Sequence, residues 1–362
     1  MGKITVETKV LQALVNAAIR GASRDKSEAL TNLFDVFVKD GRMSITTTDL
    51  TNYLTVYGDA ESGADEHFCV QIDKFSKLAL KTSTDKVKID VKEDHIAFTG
   101  NGTYKIPFMV DVDGTVVRLY RTKVDNPTAN GEVSTSVIRD VVARNKLSLS
   151  VDTSAKVYLT GYLCTDDCVM TSDSVNLCKT EVQIIPERAI IPSNVLDILS
   201  TSKSDKITYN IGENCAEFVG KDMKVYCAFI NGIDEYPEQI CRNLMALEIG
   251  SKCTLPRTAI LNTLNRLELF IDARQLNCVR VTFMKDGVSV ATISGDAIEK
   301  IEYQGSENFK EFTCLVDVSH FKSILASYDV ESLDVEYGNE QMLRIGNNLT
   351  THVIALRRER KK

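Results

Sequence analysis

The sequence predicts an α+β protein built from three similar domains, because one pattern of a short helix followed by two strands occurs three times. The clearest copy runs from Ser193 to Gly220, and subtracting 120 from these numbers gives a second copy, from Asp73 to Gly100. Adding 126 gives a third copy that starts at Ser319. Each copy starts with a candidate helix N-cap, and the shared register over about 28 residues indicates an internal repeat.

The spacing of apolar residues predicts the elements of each copy. In the clearest copy, apolar residues recur at helical spacing over 195–199, and apolar and polar residues alternate over 207–211. The first pattern is typical of an amphipathic helix and the second of a half-buried strand. The third copy departs at its last strand, where Arg344 occupies the position that Phe98 and Phe218 have in the other two.

Each domain is expected to begin with another helix that has strands of its own. In the first domain, a strand at 3–7 precedes an apolar helical stripe over 10–18. The matching stripes of the other domains cover 137–142 and 260–267. An Asp-Gly pair separates the strands in the first and third domains and favours a hairpin turn. The predicted strand pairs are 32–38 with 42–47, 155–164 with 168–172, and 278–284 with 288–294.

Two joints divide the chain. Pro, Asn and Gly are concentrated at 125–131, which is typical of a linker. A weaker boundary falls between Pro237 and Gly250. We therefore expect domains at 1–125, 126–245 and 246–362, each with two helices packed on a mostly antiparallel sheet.

Composition limits the class of protein. The chain has 362 residues, of which 43% are hydrophobic and 26% charged, which is typical of a multidomain globular protein. No run of 18 apolar residues predicts a membrane-spanning helix. The ten cysteines form no C-x-x-C pair and the four histidines are scattered, so no metal or cofactor is expected. We expect the cysteines to be reduced residues of an intracellular protein, mostly buried.

Charge is distributed unevenly along the chain. The net charge of −7 by itself argues against a nucleic-acid partner. The predicted helices are nevertheless basic as a group, so the acidic residues are concentrated outside them. Equivalent helices of equivalent domains could present one positive surface to a polyanion. Ordinary solvated helix faces are the alternative interpretation.

No catalytic constellation emerges from the sequence. Ser319-His320 and the segment 171–174 contain nucleophile and acid types, but their spacing does not indicate a triad. No Gly-rich phosphate loop is present. We therefore do not expect an enzyme. One candidate is a non-enzymatic β-rich repeat protein with a structural or assembly role, for example in a phage.

Three segments carry a resemblance to a known family. The segment 32–50 ends in Thr-Thr-Asp-Leu, the segment 171–177 reads Thr-Ser-Asp-Ser-Val-Asn-Leu, and Tyr236-Pro237 follows an Asn-Gly pair. In this order, over the whole chain, they resemble the bacterial DNA polymerase sliding clamp, the β subunit of DNA polymerase III. These segments differ from the family's usual sequence at several positions, which indicates a divergent member, such as one encoded by a phage or a mobile element.

The resemblance implies a homodimer of three-domain subunits, joined head to tail in a closed ring around double-stranded DNA. It implies a cytoplasmic processivity factor at the replication fork, placed on DNA by a clamp loader and used by the replicative DNA polymerase. Such a ring needs only a modest, sequence-independent attraction to phosphates. The DNA-facing residues that the resemblance implies are Arg24, Lys77, Arg139, Arg144, Lys146, Tyr158 and Arg257.

The resemblance also implies a pocket for a short Gln-led apolar peptide of partner proteins, in which Leu177 and Leu356 meet. Ser174-Val175 stand where the family has Gly-His, and residues 355–358 replace its Met-Pro-Met-Arg, so we expect a different peptide preference. The apolar members could instead be ordinary core residues. The implied pocket residues are Leu159, Ser172, Ser174, Val175, Leu177, Pro237, Arg242, Val353, Ala355, Leu356 and Arg357.

The subunit contact follows from the same resemblance. Ile106 and Phe108 alternate at the end of the first domain, and Phe270 and Ile271 follow the first helix of the third domain. We expect these two surfaces to meet across the subunit boundary and to hide the edge strands of two sheets.

Overall fold

The computed structural model describes residues 2–23, 25, 27–119, 123–152, 154, 156–271, 277–303 and 306–358. Over these residues the chain forms seven α-helices and 26 strands, which pair antiparallel, as the α+β prediction requires. None of these helices is long and apolar enough to cross a membrane. The helices are α1 (Thr8–Ala18), α2 (Ile72–Lys81), α3 (Thr135–Asn145), α4 (Ser193–Leu199), α5 (Glu238–Ala246), α6 (Arg257–Leu267) and α7 (Val318–Ala326).

The chain divides into two compact units, of which unit 1 comprises Met1–Ile138 and Asn194–Phe229. Its described strands, numbered along the whole chain, are β1 (Lys3–Glu7), β2 (Leu33–Lys39), β3 (Arg42–Thr48), β4 (Asn52–Asp59), β5 (Glu61–Ser62), β6 (Glu66–Gln71), β7 (Lys86–Val91), β8 (His95–Thr99), β9 (Thr103–Pro107), β10 (Ala129–Ser134), β15 (Lys206–Ile211), β16 (Cys215–Val219) and β17 (Met223–Ala228). They form a five-stranded sheet in the order β5-β1-β7-β8-β9 and an eight-stranded sheet in the order β10-β15-β16-β17-β4-β3-β2-β6.

Unit 2 comprises Arg139–Ser193 and Ile230–Lys362. Its described strands are β11 (Gly161–Cys164), β12 (Val169–Ser172), β13 (Leu177–Thr180), β14 (Ala189–Pro192), β18 (Ser251–Pro256), β19 (Cys278–Met284), β20 (Gly287–Thr292), β21 (Ile298–Glu302), β22 (Ser306–Glu307), β23 (Phe312–Asp317), β24 (Ser332–Tyr337), β25 (Met342–Gly346) and β26 (Thr350–Ala355). They form a nine-stranded sheet in the order β14-β11-β12-β13-β26-β25-β24-β18-β22 and a four-stranded sheet in the order β21-β20-β19-β23.

All three divisions between the units fall inside the predicted second domain, because its strands belong to two different sheets. Strands β10 and β15 to β17 lie in the eight-stranded sheet with β2 to β4 and β6. Strands β11 to β14 lie in the nine-stranded sheet with strands of the predicted third domain. The three-domain boundaries at 125 and 245 remain a prediction, since contacts group the chain by shared sheets instead of by repeat copies.

Most predicted elements are present, but several bounds differ, as at α2, which starts at Ile72, one residue before the predicted cap Asp73. The strand predicted at 155–164 starts only at Gly161, because residues 157–160 form a 3₁₀ turn. The joint predicted between Pro237 and Gly250 contains helix α5. Helix α7 starts one residue before the predicted cap, and Asp317 caps it by accepting a hydrogen bond from the backbone N–H of His320. A carboxylate at the N-cap accepts a hydrogen bond from a free backbone N–H of the helix, and its negative charge interacts favourably with the positive end of the helix dipole.

Aromatic and aliphatic side chains form the core of each unit. In unit 1, the Phe75 ring of α2 packs edge-on against Phe34 and Phe98, and at a tilt against Phe68. In unit 2 one large cluster lies around α6 and α7, and a smaller one lies around β11 to β13. All ten cysteines are free, and all except Cys215 are buried, as expected for small core residues.

The third repeat copy is shifted by one residue at its last strand, because Ile345, buried opposite Val335, takes the position of Phe98 and Phe218. Arg344 beside it has a different role. This side chain is 8% exposed, pairs with Glu336, and donates hydrogen bonds to the carbonyl oxygens of Leu244 and Met245. Those carbonyls belong to the last turn of α5, where helix acceptors lack intrahelical partners and a cation is favoured. Arg344 therefore caps the C-terminus of α5, a helix that the sequence pattern did not predict.

Candidate partner-binding site

Three of the predicted pocket residues lie together in the smaller core cluster of unit 2. Leu177 on β13 pairs with Val353 on β26, and Leu159 joins them in the cluster. Their exposed fractions are 1% for Leu159 and 3% for each of the other two. In this structure these three residues are core, the alternative that the sequence left open.

Helix α5 covers this cluster. Cys241 is one of its buried members, and the α5 residues Leu244 and Met245 pack against it. Pro237 stands at the N-cap of the helix. An apolar groove that includes Leu177 would therefore have to be reached beside α5.

Arg242 fastens α5 to a neighbouring loop. Its guanidinium donates to both carboxylate oxygens of Asp167 at 2.9 Å, and its Nε donates to Glu238 at 2.9 Å. The paired hydrogen bonds from Arg242 hold the pKa of Asp167 well below its ordinary value. Arg242 is thus committed to internal ion pairs, although 31% of its side chain is exposed.

The loop 172–176 places Val175 on the surface. Asp173 accepts hydrogen bonds from the backbone N–H groups of Val175, at 2.8 Å, and of Asn176, whose side-chain amide also donates to it. Ser172 Oγ accepts from the Ser174 N–H at 3.1 Å. Ser174 has a left-handed φ of 75°, and Val175 is 54% exposed. This Asp-x-x-Asn loop is stabilised by side chains that replace backbone partners.

Beside this loop lies a cavity of about 370 Å³ in unit 2, within the size range of ligand pockets. Three of the predicted pocket residues line it, namely Val175, Ala355 and Arg357. Leu147 and Ile354 add apolar surface. The other residues that line it are Asn176, Asp317, Ser319, His320 and Ser323.

His320 supplies an unused hydrogen-bonding group to the cavity wall. Its Nε2 atom is buried and has no partner among the described residues. Burial lowers the pKa of His320, while the carboxylates of Asp173 and Asp317 oppose the shift. A neutral imidazole here can donate or accept one hydrogen bond, as a polar peptide group would require. Sequence reasoning considered Ser319-His320 only as a possible catalytic pair and did not connect His320 with Val175, because the two residues lie far apart along the chain.

The prediction that Leu177 and Leu356 share one groove stays a prediction, because the two side chains pack against different core clusters. Side chains alternate between the two faces of a strand, and Val353 on β26 packs with Leu177. Ile354 and Leu356 belong instead to the large cluster around α6 and α7. Leu356 also lines a separate cavity, of about 510 Å³, beside β23.

The predicted DNA-facing residues differ in exposure. Lys77, Arg139 and Lys146 are exposed. Arg257 donates from Nε to the carbonyl of Leu325 at 2.7 Å, so part of its guanidinium has an internal role. Tyr158 packs edge-on against Tyr236, with ring centroids 6.3 Å apart. Arg24 lies outside the described residues.

Arg144 is not an exposed cation. Its side chain is 13% exposed, and its guanidinium lies 5.0 Å from the ring centroid of Tyr328. Its Nη1 donates to Thr350 Oγ1 at 3.4 Å. Arg144 therefore packs against Tyr328 inside unit 2, and its place among the DNA-facing residues stays a prediction.

The predicted subunit-contact residues are of two kinds. Ile106 and Phe108, in unit 1, are only 4% and 9% exposed within the single chain. Phe270, in unit 2, is 57% exposed, and Ile271 is half-buried. Ile298 on β21, which no prediction named, is 64% exposed. Ile298 is the first residue of the strand Ile-Glu-Lys-Ile-Glu, whose other apolar residue, Ile301, is buried.

Solved structures show which fold this is. The DNA polymerase III β subunit from Borrelia burgdorferi, solved with a natural product, matches with a TM-score of 0.85 at 15% identity, over 99% of this chain and 98% of its own. The sliding clamp from Bacillus subtilis matches with a TM-score of 0.85 at 15% identity, over 99% of both chains. The Helicobacter pylori β clamp bound to a DNA ligase peptide matches at 0.84 and 15%, over 98% and 100%.

The chain has the sliding-clamp fold. No protein-family model and no curated protein sequence matches it, so the similarity lies in structure, at low sequence identity. The clamp fold spans nearly the whole chain, which confirms the resemblance drawn from the segments around residues 32–50, 171–177 and 236–237 at the level of fold.

Proposed function

We propose that the protein is a sliding clamp, a non-enzymatic processivity factor that encloses duplex DNA and tethers the replicative DNA polymerase. The supporting observation is the clamp fold over 98–99% of the chain in the matched structures. Enclosure requires only a weak and screened attraction to phosphates. Lys77, Arg139 and Lys146 are exposed cations that can provide it.

In this proposal the ring closes between two copies of the chain. β9 lies at one edge of the five-stranded sheet of unit 1, and β21 lies at one edge of the four-stranded sheet of unit 2. If β9 of one copy paired with β21 of the next, the result would be a nine-stranded sheet, the size already present in unit 2. The apolar side chains of Tyr104, Phe270 and Ile298 are 43%, 57% and 64% exposed. Pairing would bury them and remove two open edges.

The test is retention on DNA of different topology. With its cognate clamp loader and ATP, the protein should remain on closed circular DNA through a moderate salt wash and leave linear DNA of the same sequence by sliding off the ends. The double variant Phe270→Asp, Ile298→Asp should be monomeric and lost from both, because an unpaired charge is costly to bury. Equal retention of the wild type on linear and circular DNA would refute enclosure.

The partner peptide is proposed to bind at the cavity lined by Val175, Ala355 and Arg357. Apolar wall atoms would receive a leucine or phenylalanine side chain, and His320 Nε2 would bond a polar group such as a glutamine amide. Burying two apolar side chains at about 1.5–3 kcal/mol each, less ordering costs, gives affinity in the micromolar range. Such affinity lets several partners exchange on one ring.

A titration with a Gln-x-x-Leu-Phe peptide from the cognate polymerase tests this site. Val175→Asp, on the surface, should weaken binding by at least about tenfold because it places a charge against the apolar anchor. Leu349→Asp is the matched control, since Leu349 is also exposed, at 53%, and does not line this cavity. Equal loss in both variants, or in neither, would place the peptide elsewhere.

A further inference from the structure

A further cavity, of about 440 Å³, lies in unit 1 and has no part in the function proposed above. Its apolar surface comes from the α1 residues Val10, Ala13, Leu14 and Ala17, and from Val56 and Met223 on the paired strands β4 and β17. The polar residues that line it are Lys9, Asn16, Arg20, Tyr57, Asp59, Thr201, Lys203 and Asp222.

The internal repeat shows why this space is open. Helices α1 and α3 both have eleven residues and both continue into a three-residue 3₁₀ turn, so Ala17 corresponds to Arg144. In unit 2, Arg144 lies over the Tyr328 ring, a residue whose repeat counterpart is Ser202. Unit 2 therefore fills the position with an arginine and a tyrosine, where unit 1 has an alanine and a serine.

The strands beneath this position also differ between the two units, with polar residues in unit 2 and apolar residues in unit 1. In unit 2, Thr180 and Thr350 are register partners, and their hydroxyl groups lie 3.1 Å apart. The corresponding register partners in unit 1 are Val56 and Met223, which are 2% and 3% exposed. At this position unit 2 thus has hydroxyl groups, which suit a guanidinium. Unit 1 has methyl and thioether groups, which suit an apolar occupant.

Cations surround this apolar floor. The side chains of Lys9, Arg20 and Lys203 are exposed and, within the described residues, none of them forms an ion pair. Of the two carboxylates at the rim, Asp222 is already occupied by hydrogen bonds from Ser202, from Ser204 and from the Lys203 N–H. These neutral donors leave the charge of Asp222 in place, so Asp59 and Asp222 offset two of the three cations. The rim keeps a net positive charge of one, which favours an anionic neighbour for whatever enters.

We propose that the cavity between α1 and the β4–β17 pair docks a partner peptide through one apolar side chain flanked by acidic residues. The volume holds about one large side chain with part of its neighbour. The apolar floor distinguishes this occupant from a nucleic acid, whose phosphates would gain nothing from Val56 or Met223. This site is independent of the cavity at Val175, since the two lie in different units.

The test uses a fluorescein-labelled peptide with a Leu-Phe pair flanked on both sides by aspartates, followed by fluorescence anisotropy. All proteins carry Val175→Asp, so that peptide binding at the unit 2 cavity does not contribute to the anisotropy signal. Ala17→Arg introduces the residue that unit 2 has at this position, Arg144. Its side chain should occupy the cavity and weaken peptide binding by at least about tenfold. Ala17→Ser leaves the space open and should stay within about twofold of the parent.

Charge supplies the second arm, which holds even if Ala17→Arg fails to fold. Lys9→Glu with Lys203→Glu changes only exposed residues and should weaken binding of the aspartate-flanked peptide by about tenfold or more. The same variant should improve binding of a peptide whose Leu-Phe pair is flanked by lysines. Equal affinity of the two peptides for the parent protein would overturn the proposal.

Three other outcomes would also overturn it. Ala17→Arg and Ala17→Ser could bind the aspartate-flanked peptide equally. A short duplex DNA could bind in an Ala17-dependent way while the peptide does not, which would assign the surface to phosphates. Ala17→Arg could change the sedimentation of the protein alone, which would assign the surface to a second copy of this chain.

Discussion

The loops 48–52 of unit 1 and 172–176 of unit 2 have the same hydrogen bonds but different surroundings. In unit 1, Asp49 accepts hydrogen bonds from the backbone N–H groups of Thr51 and Asn52, and from the Asn52 amide. Leu50 has a left-handed φ of 81° and is 45% exposed. Asp49 also accepts a hydrogen bond from Asn194, at the start of α4, at 3.0 Å.

The unit 2 loop has the same Asp-x-x-Asn geometry, but its exposed residue, Val175, lines a cavity. The comparison separates two roles of a repeated segment. The aspartate and the asparagine determine the backbone path, because their side chains replace missing backbone partners. The residues packed beside the loop determine whether it holds a neighbouring helix, as Asp49 does through Asn194, or forms the rim of a cavity, as at Val175.

Acid should unfold unit 2 before unit 1. Burial lowers the pKa of His352 to about 3, whereas its ordinary value is 6.5. Unfolding then takes up a proton between these limits, so stability is complete above pH 6.5 and is lost as the pH falls toward 3. From pH 6.5 to 5 the loss is about 2 kcal/mol. Hydrogen exchange should show lower protection in β13 and β26 at pH 5 than at pH 7, with β4 and β17 less affected.

A matched variant sharpens this prediction. The position equivalent to His352 in unit 1 is Val225, since the register of β17 and β26 aligns the two. His352→Val should therefore remove most of the acid sensitivity between pH 5 and 6.5. Unchanged acid sensitivity in that variant would assign the effect to other groups.

Removing the loop aspartates should affect the two units differently. Asp49→Ala should lower the free energy of unfolding by about 2 kcal/mol, and Asp173→Ala by about 1 kcal/mol, because only Asp49 also holds Asn194. Urea unfolding measures both. Peptide binding should weaken only in Asp173→Ala, since that loop carries Val175. The comparison fails if the two variants lose equal stability or if Asp49→Ala alone weakens binding.

The smallest expected effect concerns Arg144. Arg144→Ala copies the unit 1 residue Ala17 into unit 2 and removes the contact with Tyr328, at a cost of about 1 kcal/mol. Arg139→Ala, on the exposed side of the same helix, should change the midpoint of thermal unfolding much less. An equal shift in the two variants would show that Arg144 does not contribute as a packed residue.

The sequence was most informative where a pattern is local. The strand predicted at 278–284 is present as Cys278–Met284, because a buried strand has a period that a few residues reveal. Helix α5 was missed because its single buried residue, Cys241, gives no apolar stripe. The N-cap of α7 was misplaced because Asp317 and Ser319 are both good capping residues two positions apart.

The site was harder to predict than the fold, because it depends on pairs of residues that are distant in sequence. Arg144 was expected to face DNA, and only the position of Tyr328 shows that its guanidinium packs against an aromatic ring. The surroundings of Leu356 could not be read from the sequence, because the phase of the preceding strand β26 depends on its pairing with β13. The resemblance to the clamp family located Val175, Ala355 and Arg357, which do line one cavity.

The pairing of β4 with β17 has a consequence for synthesis of the chain. Met223 lies opposite Val56, so the sheet that contains β2 to β4 is completed only after residue 228 has been made. Until then the eight residues of β4 have an open edge, which invites pairing with other chains. A nascent chain that stops at residue 125 is therefore expected to aggregate, and a chaperone that shields extended strands should raise the yield of the complete protein.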